Sequence, residues 1–127
     1  MSYAKTNLRQ VEDSAAKHGV GESQEARFPR SELGAEQTGL NFLIVKPGRR
    51  EAFAHRHREA EEIYVVLSGG GRVKLDDQLV ELAVLDVVRV GPGTTRRFEA
   101  GSDGLELLIF GARVEGDGEI VDGFWTD

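Results

Sequence analysis

"GRREAFAHRHREAEEIYVVLSG", residues 48–69, sets two histidines one residue apart and places a glutamate five positions after the second. The whole chain holds only three histidines, and two of them stand here. Successive side chains of a strand point to opposite faces, so His55 and His57 share one face while Arg56 and Arg58 share the other. Farther on, Glu62, Tyr64 and Val66 share a face, with Glu61, Ile63 and Val65 on the reverse. Two imidazoles on one side of a strand, joined by a carboxylate from the next, are donors of the kind that suit Fe, Mn, Ni, Cu or Zn. Alone, an H-x-H pair is a weak signal, and the rest of the chain has to decide it.

Outward from this stretch the strand character continues. From Leu40 onward, "LNFLIVKPG", "EIYVVLSGGG", "RVKL", "LVEL", "LDVVRVGPG", "RRFEAG" and "LELLIFGA" are short β-branched or aromatic runs punctuated by Gly, Pro and Asp. Turn signals at such close spacing predict an all-β barrel or sandwich, with no helical period sustained between 40 and 111. "SGGG" at 68–71 reads as a β-turn, because no helix carrying Lys-Ser or Lys-Thr follows it as in a phosphate loop. Asp76-Asp77 reads as a hairpin turn. The first 38 residues are polar and weakly patterned; "NLRQVED", 7–13, is read as a short edge strand, and Pro29 with two glycines marks a loop.

Composition excludes several classes. A chain of 127 residues suits one domain with one core. Its net charge of −6 argues against nucleic acid as a partner, since phosphate binding relies on clustered Lys and Arg. There is no cysteine, so disulfides and zinc–thiolate sites are unavailable and a metal must use His and carboxylate. No stretch approaches the roughly 18–20 apolar residues of a membrane span, and the N-terminus lacks the apolar run of a signal peptide, so a soluble, cytoplasmic protein is expected. No serine sits in a G-x-S-x-G context.

The segment from Gly48 to Gly69 resembles the first conserved motif of the cupin family, G-x5-H-x-H-x(3,4)-E-x6-G. His55, His57 and Glu62 fall on its three ligand positions, and the spacing selects Glu62 over Glu61. Six residues rather than five separate Gly48 from His55. The resemblance implies a small antiparallel jelly-roll barrel over residues 39–111, with an N-terminal arm (1–38), a C-terminal tail (112–127) packed on it, and a divalent transition metal inside. The second cupin motif, G-x5-P-x-G-x2-H-x3-N, aligns on "LDVVRVGPGTTRRFEA", 85–100, where only Gly93 survives among the fixed positions. Leu85 stands for the glycine, Gly91 for the proline and Ala100 for the asparagine. Arg96 takes the place of the fourth ligand, and a protonated guanidinium cannot ligate a cation. Arg96 is expected to point inward because it shares a face with Phe98.

Three readings of that interior remain open. In one, His55, His57 and Glu62 bind a metal facially while Arg96 holds a small acidic substrate, with Tyr64 beside it as a further substrate-binding group. In the second, Arg96 pairs with Glu62 and the protein is a metal-free, non-catalytic module for a small ligand. In the third the interior is a polar core and the surface does the work. The family resemblance implies chemistry of the dioxygenase or isomerase type for the first, and pairing as a homodimer through strand edges or the N-terminal segment. The aromatic pair Phe124-Trp125 is expected to dock, on the barrel exterior, on a partner or over the barrel mouth, since burying such a side chain is worth roughly 1.5–3 kcal/mol.

Overall fold

The computed structural model describes residues 2–127. Eight strands follow one another: β1 (Gln24–Arg27), β2 (Gly39–Val45), β3 (Ala54–His57), β4 (Glu62–Leu75), β5 (Gln78–Leu82), β6 (Val87–Val90), β7 (Arg96–Gly111) and β8 (Gly118–Val121). All pairings are antiparallel. The sheet runs β1-β2-β7-β3-β8, and β4 pairs with β5, β6 and β7, so the sheet curls into a jelly roll. Among the described residues no helix is long and apolar enough to cross a membrane.

Two long strands organise the roll. The first half of β4 (62–69) lies against the second half of β7 (105–111), which also pairs with β2, while the second half of β4 (71–75) lies against the first half of β7 (96–100). The "SGGG" run, expected as a turn, instead sits inside β4, where the register slips between Val66 and Ser68 and again between Gly69 and Gly71. At the first slip β4 carries one extra residue, a bulge; at the second the excess lies on β7, between Leu105 and Ala100, and β4 runs on without ending. Gly69 has φ 75°, and a Cβ there would collide with the carbonyl oxygen of Gly104 on β7, so the glycine serves the close approach of two backbones. Asp76-Asp77 does form the expected two-residue connection, with Leu75 opposite Gln78. Leu85, at the position of the second motif's glycine, keeps a left-handed backbone (φ 73°) despite its side chain.

Alternation places the core. Val45, Val66, Val73, Val90, Phe98, Leu105 and Leu107 are fully buried on the inner face, each worth roughly 1.5–3 kcal/mol of transfer free energy. Arg96 is buried with them, as its parity with Phe98 implied.

The arm differs from its sequence reading. Residues 7–13 do not form an edge strand: Leu8–Gln10 is a 3-10 turn capped by Asn7, whose side chain accepts from the Arg9 N–H (2.9 Å). Asp13 then caps helix α1 (Ser14–Lys17), accepting from Ala15 N–H and also from Ala26 N–H of β1, both at 3.0 Å. Short polar side chains that bond nearby backbone donors stop this segment from extending as a ladder. The arm's strand is β1, which pairs with β2, and a second short helix, α2 (Arg30–Leu33), ends at left-handed Gly34. From the other end, β8 pairs with β3 in the sheet. The aromatic pair docks on the exterior: Trp125 is buried beneath the Arg50 guanidinium (4.1 Å from the ring centroid), and Arg50 and Arg97 donate to its carbonyl oxygen.

Candidate metal centre

β3 carries His55 and His57 on its inner side, the start of β4 carries Glu62 and Tyr64, and the start of β7 carries Arg96, which lies directly across from His55. His55 Nε2 stands 3.5 Å and His57 Nε2 3.3 Å from the same oxygen, Glu62 Oε1. The imidazoles meet edge to face, 5.1 Å between centroids, and one donor atom from each of the three residues falls within 4.8 Å of the others. Donors held on one ion at roughly 2.0–2.2 Å and a tetrahedral angle stand about 3.4 Å apart, so these separations fit a single small divalent cation.

The second nitrogen of His57 makes the same point independently. Nδ1 is buried with no hydrogen bond, yet Asp117 Oδ2 lies 3.4 Å away. An imidazole that gives its Nε2 lone pair to a cation must carry its proton on Nδ1, and a carboxylate facing Nδ1 is the usual partner of such a ligand. Burial pushes the His57 pKa down, helped by Arg96 and His55 and opposed by Glu62, which favours the neutral, ligating form. Asp117 is fixed by accepting from the N–H groups of Arg58 (2.9 Å), Glu59 (2.8 Å) and Ala60 (3.0 Å). Burial pushes its carboxyl up, but those three donors outweigh burial and hold its pKa below the ordinary value. It thereby staples the 58–60 loop, which connects the histidines to Glu62, to the base of β8.

Glu62 Oε1 also accepts from Tyr64 Oη (2.8 Å) and from Arg96 Nη2 (2.7 Å), whereas Oε2 makes no hydrogen bond among the described residues. Burial alone would raise the Glu62 pKa; His55, Tyr64 and Arg96 together pull it down to about 2, so the carboxylate is ionised at all ordinary pH. Burial beside Glu62 pushes the Tyr64 phenol well up, keeping it a proton donor. Arg96 has no exposed surface; its Nε donates to Tyr64 Oη (3.1 Å) and its Nη1 to the Thr94 carbonyl (2.9 Å). Arg96, expected to touch substrate, holds Glu62 from behind with no exposed surface, whereas Tyr64 both bonds Glu62 and lines the cavity beside it. His18 lies in the arm, its Nδ1 2.8 Å from the Ser14 carbonyl, and is not one of the converging donors.

Two hollows of about 350 and 270 Å³ open onto this centre and share Phe28, Asn41, His57 and Glu62. Sequence reasoning missed Glu51, which lines the smaller hollow with its Oε1 accepting from Phe98 N–H (2.8 Å). Burial pushes its pKa up to about 6, against the pull of His55 and the Phe98 N–H. Strand parity could not single it out, because Glu51 precedes β3 across a bend at Ala52 and Phe53, of the same parity, is exposed. Asp117 carried no signal either, lying in an acidic tail with no pattern to single it out.

Comparison with known proteins agrees with the geometry. The family model described as "Cupin domain" matches residues 41–110. An uncharacterized protein of Methanocaldococcus jannaschii is 29% identical over 109 residues, covering 85% of each chain. A cupin protein of Bacteroides fragilis superposes with a TM-score of 0.72 at 22% identity, covering 98% of this chain and 92% of its own. A sugar phosphate isomerase from a cupin superfamily, from Silicibacter pomeroyi, reaches 0.74 at 18% identity, covering 93% and 82%. At such identities the structural matches speak for the fold alone. With the double-stranded β-helix, the three converging donors and a family match over more than half its length, the chain belongs to the cupin family.

Proposed function

We propose that this chain is a metal-dependent cupin that binds a small acidic molecule and acts on it by chemistry of the dioxygenase or isomerase type. The observation that carries the proposal is the convergence of His55 Nε2 and His57 Nε2 on Glu62 Oε1, at 3.5 and 3.3 Å, beside a cavity. His55, His57 and Glu62 would hold a divalent transition metal (Fe, Mn, Ni, Cu or Zn), which supplies Lewis acidity and, with three protein donors, leaves positions open. The chain's own groups do the rest. Tyr64 and Arg96 keep Glu62 anionic, Asp117 faces the Nδ1 proton of His57, and Glu51, with a pKa near 6, is poised to take or return a proton in the hollow.

A second reading draws on the 2.7 Å Arg96–Glu62 pair, which already neutralises both buried charges and suits a metal-free binding module. Metal content separates the two. Protein purified without a histidine tag should carry close to one transition-metal ion per chain, and His55→Ala should lose it while keeping the β spectrum, because ligand loss removes coordination and few apolar contacts. Equal metal content in wild type and variant rejects the site; a folded, metal-free wild type that refuses added metal leaves the ion pair as the answer.

The proposal includes a homodimer. Val84, Leu85 and Val87 are 52, 74 and 63% exposed at the β5–β6 margin, an apolar surface of the kind that a second copy covers.

A further inference from the structure

The larger hollow reaches from His57 and Glu62 out to two arginines, Arg30 of α2 and Arg113 just after β7. Six arginines of this chain are paired with carboxylates, as with Arg50 and Arg72 on Glu99 or Arg89 on Glu61, and Arg58 and Arg97 donate to backbone carbonyls. Among the described residues neither Arg30 nor Arg113 has a carboxylate within 4.0 Å. Arg30 donates through Nε to the Ala35 carbonyl (2.9 Å), which steadies the guanidinium; among the described residues its Nη groups have no partner and the Arg113 side chain makes no hydrogen bond. A chain with net charge −6 repels small anions at long range, so two unpaired guanidinium groups on one cavity form a local exception. Arg96 cannot serve this purpose, being sealed behind Glu62. Between the arginines and the candidate metal centre, half-exposed Phe28 offers an apolar wall and Asn41 an amide whose side chain makes no hydrogen bond among the described residues.

We infer that Arg30 and Arg113 form an oxyanion subsite at the cavity mouth, so that the ligand is a small molecule with a terminal carboxylate or phosphate and a second polar function that reaches His57 and Glu62. This names the ligand class for the function proposed above and rests on that reading only for what happens at the inner end. The forked Nη edges of arginine match both oxyanions, and a single Nε tether leaves them presented. The Phe28 face covers the carbon skeleton between the two ends. At about 350 Å³ the hollow falls at the small end of ligand sites.

The test uses the full chain in two forms, EDTA-stripped and zinc-loaded, titrated by calorimetry with inorganic phosphate, malonate, ribose 5-phosphate and ribose. Arg30→Ala/Arg113→Ala and the single Arg113→Glu, a change at an exposed side chain, are compared with wild type after circular dichroism confirms folding. Loss of charge-assisted bonds should weaken phosphate or malonate at least about tenfold in both variants and in both metal states. Ribose 5-phosphate should bind wild type more tightly than ribose and lose that advantage in the variants, while zinc uptake stays unchanged. A preference for phosphate over malonate, or the reverse, says which oxyanion the subsite serves. Binding of anions equally by wild type and Arg113→Glu, or by neither, overturns the inference. Arginine-dependent phosphate binding in a protein that takes up no metal removes the metal reading and leaves the subsite standing; arginine-independent phosphate binding seen only with zinc does the opposite.

Discussion

Replacing Glu51 by Gln removes an ionisable group from the barrel interior while keeping its shape and the oxygen that accepts from Phe98 N–H. The wild-type carboxyl is buried, and its pKa rises from 4.5 to about 6. A group whose folded pKa lies above its unfolded one stabilises the fold fully below the unfolded value and loses that contribution as pH rises through the folded value. The window here runs from 4.5 to about 6. Across it, at 1.36 kcal/mol per pH unit, wild type forfeits about 2 kcal/mol that Glu51→Gln keeps. Urea unfolding in EDTA at pH 3.5 and pH 8 measures the difference, EDTA being needed because a bound cation would draw the carboxyl back down. The variant should match wild type at pH 3.5 and exceed it by about 2 kcal/mol at pH 8, roughly 1 M in midpoint at ordinary urea slopes. Glu62 titrates alike in both proteins and cancels. A stability difference that does not change with pH, or a variant weaker than wild type at pH 8, would refute the burial of a neutralisable carboxyl beside His55.

Arg96→His should raise metal affinity, since a fixed cation leaves and a neutral donor arrives, and should destabilise the stripped protein at pH 7 by roughly 3–5 kcal/mol because Glu62 loses its partner. The depressed Glu62 pKa of about 2 places that contribution above pH 4.5 and removes it as pH falls through 2, so wild type and variant should converge in strong acid; unchanged metal affinity in competition titrations counts against an inward Arg96 near the centre. Val87→Lys should lower the sedimentation mass from dimer to monomer without loss of fold, and a wild type already monomeric at high concentration removes the homodimer.

Much of this architecture could be read from residue order because alternation is a property of single strands. His55 with His57, Glu62 with Tyr64, and Arg96 with Phe98 were each assigned to a shared face by period alone, and the barrel uses those faces. What alternation cannot supply is the partner strand. Gly69 to Gly71 serve close packing against an irregular stretch of β7 rather than a turn, and only the pairing shows that β4 continues through them. The same holds at the centre. Residue order left Arg96 open between a substrate clamp and a partner for Glu62, and only the folded neighbours show Tyr64 and Glu62 absorbing its donors. Asp117 and Arg113 escaped notice because they come from segments without periodicity, brought to the centre by β8 and by the end of β7. Residues 7–13 were misread because Asn7 and Asp13 satisfy backbone donors locally, a competition that hydrophobic pattern does not register.

The Asp117 staple fixes when the centre can come into being. The loop between His57 and Glu62 is tied to a residue nearly sixty positions later, and β3 borders β7 and β8 rather than its neighbours in sequence. During synthesis both histidines therefore leave the ribosome long before the strands that orient them. Distant pairings of this kind are closed late, after their loop entropy has been met. A cation meeting the nascent chain would find no organised donors, so any that binds the proposed centre would act afterwards, by mass action on the finished fold, slowing unfolding more than it speeds folding.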